Sequence, residues 1–226
     1  DVELTVPPND WMLVGDAQAG PRSLRITFDG WRVGVGPAAS MLRMKERPYC
    51  MLAPVAAAAI AVGEAFSAWA KISVEATRKN IAFSLWRPDL NSALEESLGH
   101  PVKEFPRKLE LFGLGHLGQA YVWAMAALPF EDKGTLLPYL CDDDAVELPN
   151  LETGALMRKE GLPGRKTRVI AKWLRLRGFD CRLIERFVDD GYRRSASEPT
   201  IALSGFDNNE ARQWLSRAGF NFVFDS

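Results

Sequence analysis

Residues 107–144 read RKLELFGLGHLGQAYVWAMAALPFEDKGTLLPYLCDDD, and the order of their motifs predicts a strand, a glycine turn, a helix, a second strand and an acidic end. The run LELF is typical of a buried parallel strand, and Gly113, Gly115 and Gly118 follow it as G-x-G-x-x-G. In this pattern the first glycine allows a tight turn, the second lets a ligand approach the backbone, and the third lets the helix pack on the strand. A nucleotide-binding turn is predicted, although glycines alone also fit an ordinary turn.

The helix predicted after this turn runs from about Leu117 to Leu128 and is stopped by Pro129. Its free N–H groups and positive dipole end point into the turn, where a phosphate would bind. The next strand, TLLPYLC, ends in Asp142, Asp143 and Asp144. An acidic residue roughly 20 positions after such a turn is placed to accept hydrogen bonds from ribose hydroxyls.

Composition narrows the class of protein. The 226 residues include 28 basic and 29 acidic residues, so no global field attracts nucleic acid or an anionic membrane. Three cysteines without a C-x-x-C pair argue against a disulfide framework or a zinc knuckle, which favours a reducing, cytoplasmic setting. The most apolar run, Met51 to Val62, is expected to be too short to span a bilayer.

The N-terminal half is predicted to be an appendage over residues 1–106. Residues 1–21 fit an arm or loop, and Asp29-Gly30 predicts a two-residue hairpin. An alanine-rich helix is expected from Ala53 to about Ile72; because it is apolar almost all round, we expect it to be buried between other elements or at a dimer contact. Residues 78–106 fit a connector with one strand at IAFSLW.

The second half, residues 107–226, is predicted to be the nucleotide-binding domain. After the second strand comes a long polar loop, then a helix over Thr167–Gly178, a strand at FDCRLIERFV, a strand at PTIALSG, a helix capped by Asn208 and a strand at FNFVFDS. Strands that alternate with helices at this spacing predict an α/β, Rossmann-like, doubly wound and mostly parallel sheet.

Several motifs in this half occur together in one known family. They are Asp142-x-Asp144-x-Val146-x-x-x-Asn150-Leu151, then Gly164 and Lys166, then Gly205-x-Asp207-Asn208 with Arg212. This pattern resembles the adenylation domain of the ubiquitin-activating-enzyme superfamily, including the bacterial ThiF and MoeB proteins. The resemblance covers about residues 107–226. The N-terminal half looks more like related proteins encoded in bacterial anti-phage defence operons.

The resemblance implies ATP-dependent adenylation of the C-terminal carboxylate of a ubiquitin-like or sulfur-carrier protein, with Mg²⁺, by a homodimer. It implies that Asp142 holds the ribose, that Asn150 and Lys166 contact phosphates, and that Asp207 binds the metal. The implied catalytic residues are thus Asn150, Lys166 and Asp207. The cofactor-binding set that it implies is Gly113, Gly115, Gly118, Asp142, Asp144, Asn150 and Lys166.

One departure bears on activity. The family's arginine three places after the asparagine is Thr153 here, which removes a cation from the expected phosphate clamp. Arg158, Lys159 or Arg165 in the same loop could replace it. An arginine from a partner subunit, for which Arg22, Arg25 and Arg43 are candidates, is a further option.

Other interpretations stay open at this point. The chain could be a catalytically inactive scaffold subunit, which Thr153 favours, or an NAD(P)-dependent oxidoreductase, which the glycine turn alone allows. Lys166 could belong to a solvated helix face or a nucleic-acid patch, but exposed aromatic residues are not interleaved with that basic run. Asp207 and Asn208 could be only a helix cap.

Overall fold

The computed structural model describes residues 12–15, 20 and 22–225, and the chain folds into two compact units, Asp1–Lys103 and Glu104–Ser226. Most of the predicted N-terminal arm, including residues 1–11, lies outside the described residues. Within that arm the prediction of an irregular segment is wrong for Met12–Val14, which forms a short strand.

The first unit is built on a four-stranded sheet. Its strands are β1 (Met12–Val14), β2 (Leu24–Asp29), β3 (Arg32–Pro37) and β4 (Ile81–Ser84), in that spatial order. Strand β1 is parallel to β2, and the other neighbours are antiparallel. The helix α1 (Leu52–Trp69) packs on this sheet through Ala53, Ala57 and Ala61, whose small side chains let it approach closely.

The predicted hairpin forms, one residue further along than expected. Asp29 pairs with Arg32, so the turn consists of Gly30 and Trp31. Gly30 has a φ of 65°, a conformation that glycine adopts without steric cost. Asp29 instead uses its carboxylate to bind the Arg47 guanidinium through bonds of 2.8 and 2.6 Å.

The predictions for the apolar helix need correction in two respects. Helix α1 continues through Gly63 to Trp69, so by length and composition it is long enough to cross a bilayer, and the expectation of too short a run is wrong. Burial between other elements of the chain is also wrong, because Phe66 and Trp69 are 55% and 71% exposed, whereas the expected dimer contact stays a prediction. The alanine face packs on β2 and β3.

The second unit has the predicted Rossmann-like fold. Its strands are β5 (Lys108–Phe112), β6 (Leu137–Cys141), β7 (Arg182–Ile184), β8 (Ile201–Ser204) and β9 (Phe222–Asp225). The spatial order is β7-β6-β5-β8-β9, and each pair is parallel. The chain order reverses between β5 and β8, and such a switch point opens a crevice at the carboxyl ends of the strands.

Helices cover both faces of this sheet. They are α2 (His116–Ala126), α3 (Leu148–Thr153), α4 (Lys166–Arg175) and α5 (Asn209–Ser216). Leu111 points to a core shared with α2 and α4, and the next residue, Phe112, points to the opposite core shared with α5. This alternation is the period of two that places successive strand residues on opposite faces. Both faces are buried, which explains why the strands read as short apolar runs.

Candidate functional site

A cavity of about 400 Å³ opens at the carboxyl ends of β5, β6, β7 and β8. Because parallel strands end at the same edge of a sheet, segments far apart in sequence meet here. Its walls come from several parts of the second unit. They are Gly113 with Gly115–Leu117, Cys141–Asp144 with Lys166, Arg186–Val188, Gly205–Asn208, and Ala211 with Arg212. Of the residues predicted for the site, the cavity wall contains Gly113, Gly115, Asp142, Asp144, Lys166 and Asp207.

The three glycines of the turn have different surroundings. Gly113 has a φ of 69°, and its N–H donates to Cys141 O at 3.1 Å, which ties the turn to β6. A Cβ atom on Gly118 would lie 2.0 Å from Gly113 O, so this glycine lets α2 press against the turn. A Cβ atom on Gly115 would meet no atom within 4 Å. The turn therefore has one glycine that leaves open space at the cavity.

Asp142 connects the end of β6 to this turn. Its Oδ2 accepts a hydrogen bond from Leu114 N at 2.6 Å, and its Oδ1 accepts one from Asp144 N at 2.8 Å. Burial raises the pKa of the Asp142 carboxyl above its ordinary value, and the two backbone N–H bonds and the nearby Lys166 charge oppose that rise. Each carboxylate oxygen has a second lone pair, so Asp142 can accept further hydrogen bonds from a ligand.

Lys166 is held at the cavity by an acidic neighbour. Its Nζ lies 2.6 Å from Asp144 Oδ2, and its side chain is only 12% exposed. Lys166 is also the first residue of α4, where its N–H donates to Asp144 O at 3.0 Å. For Lys166 the structure therefore fits a positioned cation better than a solvated helix face.

The loop after β8 adds polar groups on the other side of the turn. Asp207 is exposed at the cavity wall, and Asn208 caps α5 by accepting a hydrogen bond from Glu210 N at 2.8 Å. Arg212 donates from Nε to Phe206 O at 2.9 Å and lies 3.5 Å from Asp225 Oδ1. The helix-cap interpretation therefore applies to Asn208, whereas Asp207 presents a carboxylate to the cavity.

Carboxylates at two places could ligate a divalent cation. Asp207 lies on one wall, and ligand atoms of Asp142, Asp143 and Asp144 lie within 4.8 Å of one another on the other. Hard cations such as Mg²⁺ prefer oxygen ligands of this kind. Both sets border the same cavity.

Two predicted residues do not line the cavity. Gly118 lies beneath the turn, and Asn150 uses its side chain to cap α3, where Oδ1 accepts a hydrogen bond from Glu147 N at 2.9 Å. Thr153, in the place of the family arginine, donates its hydroxyl to Pro149 O at 3.0 Å. The side chains of Asn150 and Thr153 thus form hydrogen bonds with the backbone of their own segment.

The basic residues suggested as replacements for the missing arginine also point elsewhere. Arg158 donates to Met157 O at 2.8 Å, and Arg165 donates to Asp143 O at 2.7 Å; neither of them, nor Lys159, is part of the cavity wall. The cavity instead contains the guanidinium-bearing residues Arg186 and Arg212. Arg212 was part of the sequence pattern, whereas Arg186 was missed.

Arg186 follows the end of β7. Its Cζ atom lies 3.9 Å from the centroid of the Tyr192 ring, and its Nη2 is 3.4 Å from Arg193 O. The sequence signal for Arg186 would have been a position just after a parallel strand. The strand predicted at FDCRLIERFV was too long, so it placed Arg186 inside the sheet. The observed β7 ends at Ile184, so the next residues leave the sheet and reach the cavity.

Comparisons with known proteins give matches along most of the chain. The BilD N-terminal domain model matches residues 3–85, and the BilD C-terminal domain model matches residues 105–226. A bacterial E1-like protein BilD from Collimonas sp. (strain OK412) is 37% identical over 203 residues, which are 89% of this chain and 44% of that protein. The chain thus spans less than half the length of this relative.

Two solved structures from E. coli are more distantly similar. The tRNA N6-threonylcarbamoyladenosine dehydratase TcdA is 17% identical with a TM-score of 0.42, and the match covers 52% of this chain and 51% of TcdA. MccB is 22% identical with a TM-score of 0.44, and the match covers 53% of this chain and 34% of MccB.

Proposed function

This chain belongs to the BilD family, which includes a bacterial E1-like protein, and we propose that it uses ATP to adenylate the C-terminal carboxylate of a ubiquitin-like or sulfur-carrier protein. The observation that carries the proposal is the cavity at the switch point of the sheet, where a glycine turn, the acidic end of β6, a lysine and an exposed aspartate meet.

The residues at this cavity fit a nucleotide. Gly115 leaves the backbone at the start of α2 open, and helix N-termini bind phosphates through free N–H groups and the helix dipole. Asp142 and Asp144 follow β6, where acidic side chains accept hydrogen bonds from ribose hydroxyls. In this proposal the phosphates lie at the turn and the ribose lies at the end of β6.

The chemistry requires charge neutralisation more than proton transfer. A carboxylate oxygen of the carrier protein attacks the α-phosphorus of ATP, the bond to the β-phosphate oxygen breaks, and pyrophosphate leaves. A carboxylate is already ionised at neutral pH, so the site needs no general base. Lys166 reduces the repulsion between the carboxylate and the phosphates, and Asp207 would hold the Mg²⁺ that supplies further positive charge.

Asn150 stays in the proposed phosphate-contacting set although it caps α3. The cap uses Oδ1 as an acceptor, so the Nδ2 group can donate to a charged phosphate oxygen when the nucleotide binds. Arg212, which is already at the cavity wall, is a cation that can compensate for Thr153.

We also propose a carrier, an oligomeric state and a cellular role for this chain. The carrier is a ubiquitin-like protein, the active form is a homodimer in the cytoplasm, and the system belongs to anti-phage defence. What supports this is the family match over both halves of the chain and the sequence character of residues 1–106. The exposed apolar side of α1 is consistent with a further protein contact.

Isothermal titration calorimetry with ATP and Mg²⁺ tests the nucleotide site directly. We expect saturable binding by the wild-type chain and at least tenfold weaker binding by Lys166→Ala and Asp207→Ala. Lys172→Ala, on the exposed side of the same helix α4, is the matched control and should bind as the wild type does. Absence of ATP binding by the folded wild-type chain would refute the proposal.

Pyrophosphate exchange tests the adenylation step. Candidate carrier proteins with a free C-terminal carboxylate should support ATP–pyrophosphate exchange, and the same proteins with an amidated C-terminus should not. Exchange that is equally fast with the amidated carriers would show that the carboxylate is not the nucleophile.

A further inference from the structure

The order of the strands suggests where the base of a bound nucleotide lies. Strands β5, β6 and β7 are adjacent and parallel, so their carboxyl ends form a row along one edge of the sheet. Neighbouring strands are about 4.8 Å apart, which is close to the spacing between the phosphate, ribose and base of a nucleotide. With the phosphates at the β5 turn and the ribose at the end of β6, the base reaches the end of β7.

Arg186 is the charged residue of the cavity wall at that position. At 3.9 Å from the ring centroid, its guanidinium rests against the face of Tyr192. Lys166 pairs with Asp144, and Arg212 pairs with Asp225, but Arg186 has no ion-pair partner among the described residues. A planar cation with one face on an aromatic ring can stack on a second ring with its other face.

Tyr192 is itself fixed from below. It is buried, and its hydroxyl donates a hydrogen bond of 2.9 Å to Glu110 Oε1 inside β5. Its ring meets Phe112 edge-to-face with centroids 5.5 Å apart. These contacts join the segment after β7 to the central strand of the sheet, so the platform beneath Arg186 is rigid.

We propose that Arg186 is the base-recognition residue of this cavity, with its guanidinium stacked between the Tyr192 ring and the purine base of ATP. Tyr192 and Glu110 are positioning residues, because they hold Arg186 without touching the nucleotide. The inference rests on the proposed ATP site and adds the residue that selects its base.

Two substitutions separate stacking from charge. Arg186→Lys keeps the positive charge but loses the planar guanidinium, and Arg186→Met loses both the charge and the planar group. Stacking predicts that each variant binds ATP about tenfold more weakly, which lies within the range measured for cation–π contacts. Arg175→Met, which removes an exposed guanidinium on α4 outside the cavity wall, is the control and should leave ATP affinity unchanged.

Ligands that lack one part of ATP show which part Arg186 contacts. In displacement calorimetry, the affinity of both variants should fall by about the same factor for adenosine as for ATP. Their affinity for tripolyphosphate should equal that of the wild type. Normal adenosine affinity with weakened tripolyphosphate binding, or full rescue by Arg186→Lys, would overturn the inference while leaving the ATP site intact. Failure of the wild-type chain to bind ATP would overturn the proposed function and this inference together.

The positioning role of Tyr192 has its own readout. Tyr192→Phe keeps the ring, so it should retain most of the adenosine affinity, whereas Tyr192→Leu should lose as much as Arg186→Met. The double variant Tyr192→Leu with Arg186→Met should be no weaker than either single variant, because both changes remove the same stack. Additive losses would overturn the positioning role.

Discussion

Alanine substitutions at two glycines of the turn should separate folding from ligand binding. Gly118 and Gly115 are three residues apart in one motif, but a methyl group at each would meet different surroundings. At Gly118 the new Cβ would lie 2.0 Å from Gly113 O and 2.9 Å from Gly113 C. Both are backbone atoms, so the turn or the helix must move to accommodate it.

The cost at Gly118 can be estimated from two opposing effects. Forcing an extra methyl into a packed site costs about 1–3 kcal/mol, and a backbone obstacle places this case near the upper end. Replacing glycine by alanine inside a helix returns about 1 kcal/mol. We therefore expect Gly118→Ala to lower the free energy of unfolding by about 2 kcal/mol.

At Gly115 the same change should leave stability almost unchanged. The residue has a φ of −70°, which alanine adopts easily, and no atom lies within 4 Å of the new Cβ. Alanine reduces the entropy of the unfolded chain, which stabilises by about 0.4–1 kcal/mol, but it is a poorer N-cap than glycine by a similar amount. In the proposed site the methyl would occupy the space through which a phosphate approaches, so ATP should bind roughly tenfold more weakly.

Urea denaturation and calorimetric ATP titration of both variants measure the two effects. Gly63→Ala is the matched control, because Gly63 is also helical and a Cβ there meets no atom within 4 Å. It should stabilise the protein by about 1 kcal/mol and leave ATP affinity unchanged. Normal ATP binding by Gly115→Ala would refute the assignment of the turn as the phosphate site, and wild-type stability of Gly118→Ala would refute the packing argument.

Charged and capping side chains give three more measurable outcomes. Burial raises the pKa of the Glu110 carboxyl to about 7, so its ionisation destabilises the fold as pH rises from about 4.5 to above 7. In urea titrations Glu110→Gln should be as stable as the wild type at pH 4 and more stable by about 3 kcal/mol at pH 8. A variant as stable as the wild type at both pH values would contradict this. Arg47→Met should lower the free energy of unfolding at pH 7, because the Arg47 hydrogen bonds lower the pKa of the Asp29 carboxyl. That loss should shrink as the pH falls below 3.8 and Asp29 becomes protonated, and a loss independent of pH would count against the pair. Asn150→Ala should lower the stability by about 1 kcal/mol through the lost cap and weaken ATP binding about tenfold in calorimetry, and an unchanged ATP affinity would reduce Asn150 to a cap.

The features of the second unit that could be predicted from sequence are those determined by residues close together in the chain. Gly113 must adopt a positive φ between a strand and a helix, and that requirement is visible in the order of residues alone. The alternation of short apolar runs with helical segments likewise indicated the parallel sheet. Helix α1 was harder, because an apolar sequence indicates a helix but does not specify how many neighbours cover it.

Asn150 shows how one residue type can serve two purposes. The family pattern assigns it to phosphates, but Glu147 and Asn150 are also spaced as the N-cap and the third residue of a helix, and the structure contains that capping box. Sequence spacing cannot decide between these roles, because an asparagine suits both: its Oδ1 can accept the cap bond and its Nδ2 group can donate to a phosphate. Only the direction of the side chain distinguishes them, because it decides whether the Nδ2 group reaches a ligand.

Arg186 was missed because of where a strand ends. In the sequence FDCRLIERFV, no glycine or proline marks a boundary, so the apolar residues on both sides of Arg186 favoured one continuous strand. The pairing with β6 stops at Ile184, and Glu185 then accepts hydrogen bonds from Thr167 and Arg168 of α4 at 2.9 and 2.8 Å. These bonds draw the chain off the sheet edge toward α4, so the next side chain reaches the cavity. The position of Arg186 thus follows from a tertiary contact of its neighbour, which explains why local pattern alone placed it in the sheet.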